Sequence, residues 1–164
     1  MKNTHTFKIA PLLALTVLLL FGFTTKQPSS AYKCMIQMTN YTGEGAYIVI
    51  SLLNPQGDYE KTIYVQGDDE EWYHDITEWW KFQGRKRTDI DAITGATISG
   101  GERAISIIEI EDEFIDRGYK IRFESAVEDQ DYFKDDVEFE LTSESVKSKV
   151  DGKGFIRYIR LIPQ

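Results

Sequence analysis

Residues 46–66 read AYIVISLLNPQGDYEKTIYVQ, and this stretch decides the class of the fold. The β-branched apolar run at residues 46–53 and the run at residues 59–66 are each typical of a β-strand. Between them, residues 54–58 contain the asparagine, proline and glycine of a tight turn. The stretch therefore predicts two neighbouring antiparallel strands joined by a turn.

The same pattern continues on both sides of this pair of strands. Upstream, Cys34, Ile36 and Met38 share one parity and predict a strand with one apolar face. Downstream strands are predicted at residues 104–111, 119–127, 137–142 and 155–162. Seven short strands separated by turns predict an all-β protein, an antiparallel β-sandwich.

One segment, residues 70–82, has helical periodicity instead. Its Trp72, Ile76, Trp79 and Trp80 recur at spacings of four, three and one, which places them on one face of a short amphipathic α-helix. We expect this helix to cap an open end of the sandwich, with its indoles as core filling. The alternative is that one tryptophan is a stacking surface for a planar ligand.

A glycine and a basic cluster follow this helix. Gly84 is expected to end it, and Arg85, Lys86 and Arg87 form a tight basic cluster in an acidic chain. These cations could hold a phosphate group, or they could simply offset the partial negative charge of the helix C-terminus.

The N-terminus has the three-part plan of a secretory signal peptide. Two lysines precede the uncharged apolar run at residues 9–23, and a polar stretch ends in Ser29, Ser30 and Ala31. We predict a signal peptide at residues 1–31, cleaved after Ala31, followed by one domain at residues 32–164. An uncleaved membrane anchor is the alternative, although a spanning helix needs roughly 20 apolar residues.

Charge and cysteine content exclude several classes of function. Removing residues 1–31 removes three of the 19 basic residues and none of the 27 acidic ones, which leaves a net charge of -11. Such a chain is repelled by nucleic acid, and we expect no direct membrane binding after cleavage. Cys34, the only cysteine, permits no intramolecular disulfide and is expected at an apolar strand position.

Residues 91–97 read DAITGAT, and this heptad points to a specific chemistry. Its fixed positions, Asp91, Thr94, Gly95, Ala96 and Thr97, resemble the site at which flavin transferases attach FMN in bacterial respiratory flavoprotein subunits. The resemblance implies that a flavin transferase acts on the chain and that Thr97 is the acceptor. The cofactor would be covalent FMN, held through a threonine phosphoester.

These residue types suit that reaction. A threonine hydroxyl attacks the pyrophosphate of FAD and displaces AMP, so the loop must enter the active site of another enzyme. Gly95 and Ala96 add almost no bulk beside Thr97, while Asp91 could orient the loop or help the transferase manage its metal and proton. The competing interpretation is structural: Thr94 and Gly95 make a turn, Asp91 caps it, and Thr97 starts the next strand.

A second resemblance covers residues 35–161. A strand pair with Asn-Pro-x-Gly-Asp, the Trp79-Trp80 pair, the heptad and the strand at residues 118–126 together resemble a family of predicted periplasmic proteins, domain-of-unknown-function family 2271. The resemblance implies a periplasmic location and an immunoglobulin-like plan. It also implies a membrane redox partner, because members accompany membrane flavoproteins with PepSY-type domains. The chain departs from the family at residues 100–102, which lack an expected proline. It also departs at residues 112–118, which contain fewer glycines than is usual in the family.

Other chemistries find little support in the sequence. His74 is the only histidine after the leader and no cysteine pair exists, so a zinc or iron site has too few ligands. The acidic clusters at residues 68–71 and 128–131 lack the pattern of a calcium loop and are expected to be solvated. No Ser-His-Asp set can be assembled. We therefore predict no metal site and no catalytic residues.

Two hypotheses of different classes follow. In the first, the protein is an exported electron carrier whose FMN is tethered at Thr97 and serves a membrane flavoprotein or haem redox system. In the second, it is a cofactor-free periplasmic accessory or interaction domain. Both make the protein a redox carrier or an accessory domain rather than a stand-alone catalyst.

Overall fold

A computed structural model describes residues 28–67, 69–86 and 94–164. The strands in these residues are β1 (Ser29–Met38), β2 (Tyr47–Leu53), β3 (Tyr59–Gln66), β4 (Thr94–Gly95), β5 (Arg103–Glu111), β6 (Lys120–Ala126), β7 (Tyr132–Glu140), β8 (Lys149–Asp151) and β9 (Ile156–Pro163). One α-helix, α1 (Thr77–Lys86), is accompanied by 3-10 segments at Glu70–Asp75, Asp112–Phe114 and Ser145–Lys147. The predicted leader lies outside the described residues, apart from its last four, and β1 begins within it.

The strands form two sheets packed face to face. The first has the order β5-β1-β9-β8 and the second the order β4-β3-β2-β6-β7. All neighbouring strands are antiparallel except β3 and β4, which are parallel. The main core lies between the sheets and contains the inward residues of β1 (Cys34, Ile36, Met38) and of β2 (Ile48, Ile50, Leu52). The predicted fold class is confirmed: an immunoglobulin-like antiparallel β-sandwich with one short amphipathic helix.

The helix covers a face of the sandwich, not an open end as predicted. A second core lies between the five-stranded sheet and the helical segment; it contains Tyr47, Val49, Val65, Tyr73, Ile76, Trp79 and Ala126. All seven residues of β2 are buried as a result. A strand with both faces covered needs a continuous apolar run, which is what β2 has.

The predicted single helix at residues 70–82 is in fact two segments. Asp69 accepts a hydrogen bond from the backbone N–H of Glu71 and so caps the 3-10 segment. Ile76 then leaves helical geometry, with φ -85° and ψ 71°, before α1 begins. The expectation that Gly84 ends the helix is also wrong, because α1 continues to Lys86. A Cβ at Gly84 would meet only the Trp80 ring, at 3.8 Å, so the glycine relieves no close contact within the helix.

The helical aromatic residues are buried to different degrees. Ile76 and Trp79 are fully buried and Trp72 is half-buried, whereas Trp80 is 39% exposed. The indole Nε1 of Trp79 donates a hydrogen bond to Thr62 Oγ1 at 2.8 Å, which satisfies its one polar group. The prediction that Trp72, Ile76 and one of the tryptophan pair face inward is confirmed at Ile76 and Trp79 and holds partly at Trp72. Tyr73, which was not predicted, is also buried.

Strand β7 starts five residues earlier than predicted. Its first half is polar in sequence, but Asp136 is fully buried there. The Asp136 carboxylate accepts hydrogen bonds from the backbone N–H groups of Lys153, Gly154 and Ile156 and from the Ser125 hydroxyl. A buried carboxylate with this many donors is compatible with a strand, because its charge is fully hydrogen-bonded.

Candidate functional site

The second half of the heptad runs along the end of β3. Thr94 and Gly95 form β4, which pairs in parallel with Val65 and Gln66 of β3. The carbonyl of Gly95 accepts a hydrogen bond from the backbone N–H of Gly67. This segment is therefore a short strand, and the alternative that Thr94 and Gly95 form a turn is wrong.

The residues after β4 are anchored by a side chain and by a second strand. The carbonyl of Ala96 accepts a hydrogen bond from Gln66 Nε2. Ile98 forms an isolated antiparallel bridge with Ala46, with N–O distances of 2.8 and 3.2 Å, and its carbonyl also accepts a hydrogen bond from the Tyr41 hydroxyl. Thr97 therefore lies between two residues whose backbone is held by hydrogen bonds, Ala96 and Ile98. Because β5 begins only at Arg103, Thr97 does not start the next strand.

Thr97 lies at the surface against a glycine. Ala96 is exposed and Thr97 is half-buried. A Cβ placed on Gly45 would lie 2.4 Å from Thr97 Oγ1, so the hydroxyl occupies space that only glycine leaves open. Of the described residues, none has a hydrogen bond to this hydroxyl. Gly45 and Ala96 contribute only a hydrogen atom and a methyl group beside Thr97.

The structure brings together only part of the predicted site. Gly95, Ala96 and Thr97 are contiguous on the anchored segment, and Thr94 precedes them in β4 with its backbone described. Asp91 lies outside the described residues. A Cβ on Gly95 would approach the Tyr64 hydroxyl to 2.5 Å, so this glycine is needed where the segment passes β3.

Three neighbours of the segment were not anticipated from the sequence. Tyr41, Gly45 and Gln66 hold or contact residues 96–98, although they lie 30 or more residues away in the chain. The sequence contained a partial indication, because the two glycines Gly43 and Gly45 mark a place where another segment of the backbone can approach closely. Which segment makes that approach depends on the order of the strands.

The loops at the start of β2, at the start of the helical segment and after β6 are acidic. Desolvation raises the pKa of Glu128, and the negative charges of Asp129, Glu44 and Asp75 raise it further. Glu44 immediately precedes Gly45, the glycine against which Thr97 lies. The residues next to Gly45 and Thr97 therefore include a carboxylate that belongs to this acidic surface.

The C-terminal part of α1, which precedes the basic cluster, contacts β3 away from the residues that the heptad joins. Near its C-terminus, α1 contacts the first half of β3 through a 3.2 Å hydrogen bond between Thr62 Oγ1 and the amide of Gln83. From Thr62 to Gln66, where the heptad joins β3, the strand spans about 13 Å. The contact of Gln83 with β3 and the contact of the heptad with β3 therefore lie at different parts of the strand. Arg87 and the side chains of Arg85 and Lys86 lie outside the described part.

A second polar cluster, the Glu124 network, lies beneath the helix and was not predicted. Glu124 is fully buried on β6 and accepts hydrogen bonds from the hydroxyls of Tyr59 (2.6 Å) and Tyr132. Burial raises the pKa of Glu124, and the two tyrosine hydrogen bonds only partly offset this effect. Arg122 bridges Tyr59 (3.3 Å) to Glu138 (2.7 Å).

A cleft of about 340 Å³ opens above the Glu124 network. It is lined by Gly57, Asp58, Tyr59, Glu78, Lys81, Phe82, Arg122 and Lys134. Glu78 forms ion pairs with both lysines, at 2.5 Å from Lys81 and 3.7 Å from Lys134. Because the charged groups already satisfy one another, the arrangement is that of a packed polar interface between helix and sheet.

Comparison with known proteins identifies one family. Its sequence profile, described as predicted periplasmic protein (DUF2271), matches residues 29–158. Neither the curated proteins nor the solved structures include a significant match. Within the part of the chain that the structure describes, no helix is long and apolar enough to span a membrane. The match covers most of the chain and agrees with the resemblance noted in the sequence: this protein belongs to the DUF2271 family of predicted periplasmic proteins.

Proposed function

We propose that Thr97 carries FMN through a phosphoester and that the protein is a periplasmic electron carrier. The observation that carries the proposal is the position of Thr97. The last residue of a complete Asp-x-x-Thr-Gly-Ala-Thr pattern lies at the surface, next to an exposed Ala96 and a glycine that leaves room at its hydroxyl. Membership of a predicted periplasmic family supports the location that the proposal requires.

Attachment is a group transfer without change of oxidation state. The Thr97 oxygen bonds to the FMN-side phosphorus of FAD, the anhydride P–O bond breaks, and AMP leaves with the bridging oxygen. The hydroxyl proton passes to a base of the transferase or to water. Thr97 supplies the nucleophile only, and a separate flavin transferase supplies FAD binding and catalysis.

The anchored segment determines where the cofactor would be held. Hydrogen bonds fix the backbone at Gly95 and Ala96 on one side and at Ile98 on the other. The side chain of Thr97 takes part in none of these hydrogen bonds, so rotation about its Cα–Cβ bond does not break them. The segment can therefore remain folded while Thr97 is modified.

The acidic surroundings favour a tether over simple binding. Neighbouring carboxylates repel the phosphate of a free flavin nucleotide, so a covalent bond is the more effective way to keep it. Once attached, FMN supplies one- and two-electron transfer between a donor and an acceptor. A membrane redox protein of PepSY type is the proposed donor or acceptor.

Co-expression with an active flavin transferase and export to the periplasm tests attachment. Wild-type protein should fluoresce in a denaturing gel, and its intact mass should increase by one FMN group. The Thr97→Ala variant should lose both signals. The Thr97→Ser variant should keep them, because the oxygen nucleophile survives. Asp91→Ala should reduce labelling without preventing expression.

Two further threonines serve as matched controls. Thr94 belongs to the same motif, and Thr42 is exposed on the loop that contains Gly45. Replacing either one by alanine should leave a single FMN bound, because the motif assigns the bond to Thr97. If the wild-type protein is colourless with the mass of the bare chain, the carrier proposal fails and the cofactor-free accessory domain takes its place.

The electron-carrier role has its own test. Labelled protein mixed with membranes that contain a PepSY-type redox protein and its reductant should lose its oxidised flavin absorbance. Membranes lacking that protein provide the control. If the labelled protein stays oxidised in both mixtures, the proposal of a PepSY-type redox partner fails. The proposal that Thr97 carries FMN is not affected by that result.

A further inference from the structure

Strand β5 is an unprotected edge of the four-stranded sheet. Within the described part of the chain, its only strand neighbour is β1. The β1–β5 register is unbroken from Ser29↔Glu111 to Gln37↔Arg103, so no bulge distorts the strand, and its sequence RAISIIEIE contains no proline. Proteins commonly protect long edges with bulges, prolines, short strands or charged side chains. This nine-residue strand has none of the first three, and its charged residues are Arg103, Glu109 and Glu111.

The unpaired backbone groups of β5 belong to its odd-numbered residues. The N–H of Met38 bonds to the carbonyl of Glu102 at 3.0 Å, and the N–H of Asp112 bonds to the carbonyl of Pro28 at 3.0 Å. In an antiparallel ladder the direction alternates, so even-numbered residues face β1 and odd-numbered residues face away. Residues 103, 105, 107 and 109 therefore direct their N–H and C=O groups towards the free side.

The side chains of these same residues are self-complementary. They point to the outer face of the sheet and read Arg103, Ile105, Ile107, Glu109; the two isoleucines are 59% and 55% exposed. In an antiparallel pair centred on Ser106, Arg103 of each copy lies opposite Glu109 of the other. Ile105 of each copy lies opposite Ile107 of the other. Opposite charges and apolar side chains are both favourable cross-strand pairs.

Ser106 itself provides an independent observation. Its Oγ is buried, and no described residue bonds to it. At the centre of the antiparallel pair, Ser106 would face its own copy with the Cβ atoms about 4.5–5.5 Å apart. The two hydroxyls could then bond to each other, which would satisfy a polar group that the single chain leaves unpaired.

We propose that a second copy of this chain occupies the β5 edge. The two β5 strands pair antiparallel about a two-fold axis through Ser106, and two four-stranded sheets join into one of eight strands. A two-fold contact requires a patch that complements itself, and the Arg-Ile-Ile-Glu order meets this condition. The alternative register centred on Ile107 would place Ile105 against Glu109. It would also place Arg103 against Glu111, which forms an ion pair with Lys61 at 2.5 Å, whereas Glu109 accepts a 3.3 Å hydrogen bond from the neutral Ser29 hydroxyl.

Sedimentation equilibrium of the protein purified from the periplasm tests the dimer. The wild-type chain should show a reversible monomer–dimer equilibrium, and Ile107→Lys should weaken it at least about tenfold because the lysine would oppose Ile105. The matched control is Ile162→Lys. Ile162 is 37% exposed and lies in the same cross-strand row as Ile107, with Lys33 of β1 between them. It belongs to β9 and therefore does not lie on the β5 edge. This control should dimerise as the wild type does.

A charge exchange tests the register. Arg103→Glu and Glu109→Arg should each be monomeric alone, since like charges then face each other twice. An equal mixture of the two should form a heterodimer, because both pairs become complementary again. A wild-type chain that stays monomeric at every concentration, equal loss in Ile107→Lys and Ile162→Lys, or a mixture that stays monomeric would each overturn the proposal.

Discussion

At the scale of single residues, Glu124 and Thr97 illustrate two ways of accommodating a polar group. Glu124 is buried completely and depends on Tyr59 and Tyr132 for hydrogen bonds. Thr97 remains near the surface and depends on the absence of a side chain at Gly45. The first is a structural group whose protonation affects stability, while the second is the proposed site of modification.

The raised pKa of Glu124 predicts a pH-dependent stability. In the folded chain Glu124 holds its proton above the ordinary value of 4.5. Stability from this group is therefore lost as the pH rises from about 4.5 through the folded-state pKa. The free energy of unfolding of the wild type, relative to that of Glu124→Gln, should fall over this window. Urea denaturation at a series of pH values measures it.

Glu138 is the control of opposite sign. Burial alone would raise its pKa, but hydrogen bonds and charge from Arg122 and Lys120 lower it overall. The stability of the wild type relative to Glu138→Gln should therefore decrease as the pH falls through the folded-state pKa of Glu138. The two differences in the free energy of unfolding should therefore change with pH in opposite directions. If both changed in the same direction, the assignment of Glu124 as the desolvated group would be wrong.

At the scale of elements, α1 turns a two-layer sandwich into a three-layer structure along one face. Trp79 contacts the five-stranded sheet and donates a hydrogen bond to β3, whereas Trp80 packs beside it at the surface. Adjacent residues on a helix differ in direction by about 100°, so only one of the pair can point into the second core.

Trp79→Ala should therefore cost far more stability than Trp80→Ala. Removing the buried indole leaves a cavity, with an expected loss of about 3–5 kcal/mol. The 39% exposed Trp80 should cost about 1 kcal/mol or less. Urea denaturation followed by circular dichroism gives both values. Equal losses would mean that the helix is oriented differently.

At the scale of the whole molecule, the position of β1 is relevant to the predicted export. The Ser29-x-Ala31 ending predicts a mature N-terminus at Tyr32, which lies inside β1. The ladder between β1 and β9 begins at Tyr32, and residues 29–31 add three further pairs with β5. A chain cleaved after Ala31 therefore keeps every paired residue between β1 and β9.

The intact mass of protein recovered from the cell envelope measures the cleavage site. We expect the mass of a chain that begins at Tyr32, together with any attached FMN. A species that begins at Met1 in the membrane fraction would instead indicate an uncleaved anchor. A mass corresponding to cleavage before Ser29 would move the site and keep all of β1.

The sequence by itself determined the elements that depend on local periodicity. Alternation along β1 predicted a buried Cys34, and burial raises the pKa of that thiol to about 12. The continuous apolar run of β2 predicted a strand, and the heptad suggested a reaction through its resemblance to a flavin-acceptor site. Each of these signals lies within about ten residues, where neighbouring side chains are related by fixed backbone geometry.

Only the tertiary structure decided which distant residues meet. Tyr41, Gly45 and Gln66 reach the heptad because β2 and β3 are neighbours and Ile98 bridges to Ala46. Glu124 of β6 meets Tyr59 of β3 and Tyr132 of β7, and hydrogen bonds to the buried Asp136 allow a charged segment to form part of β7. The helix lies on a face because both sides of β2 are apolar. Such contacts follow from strand order, which the spacing of residues along a chain does not specify.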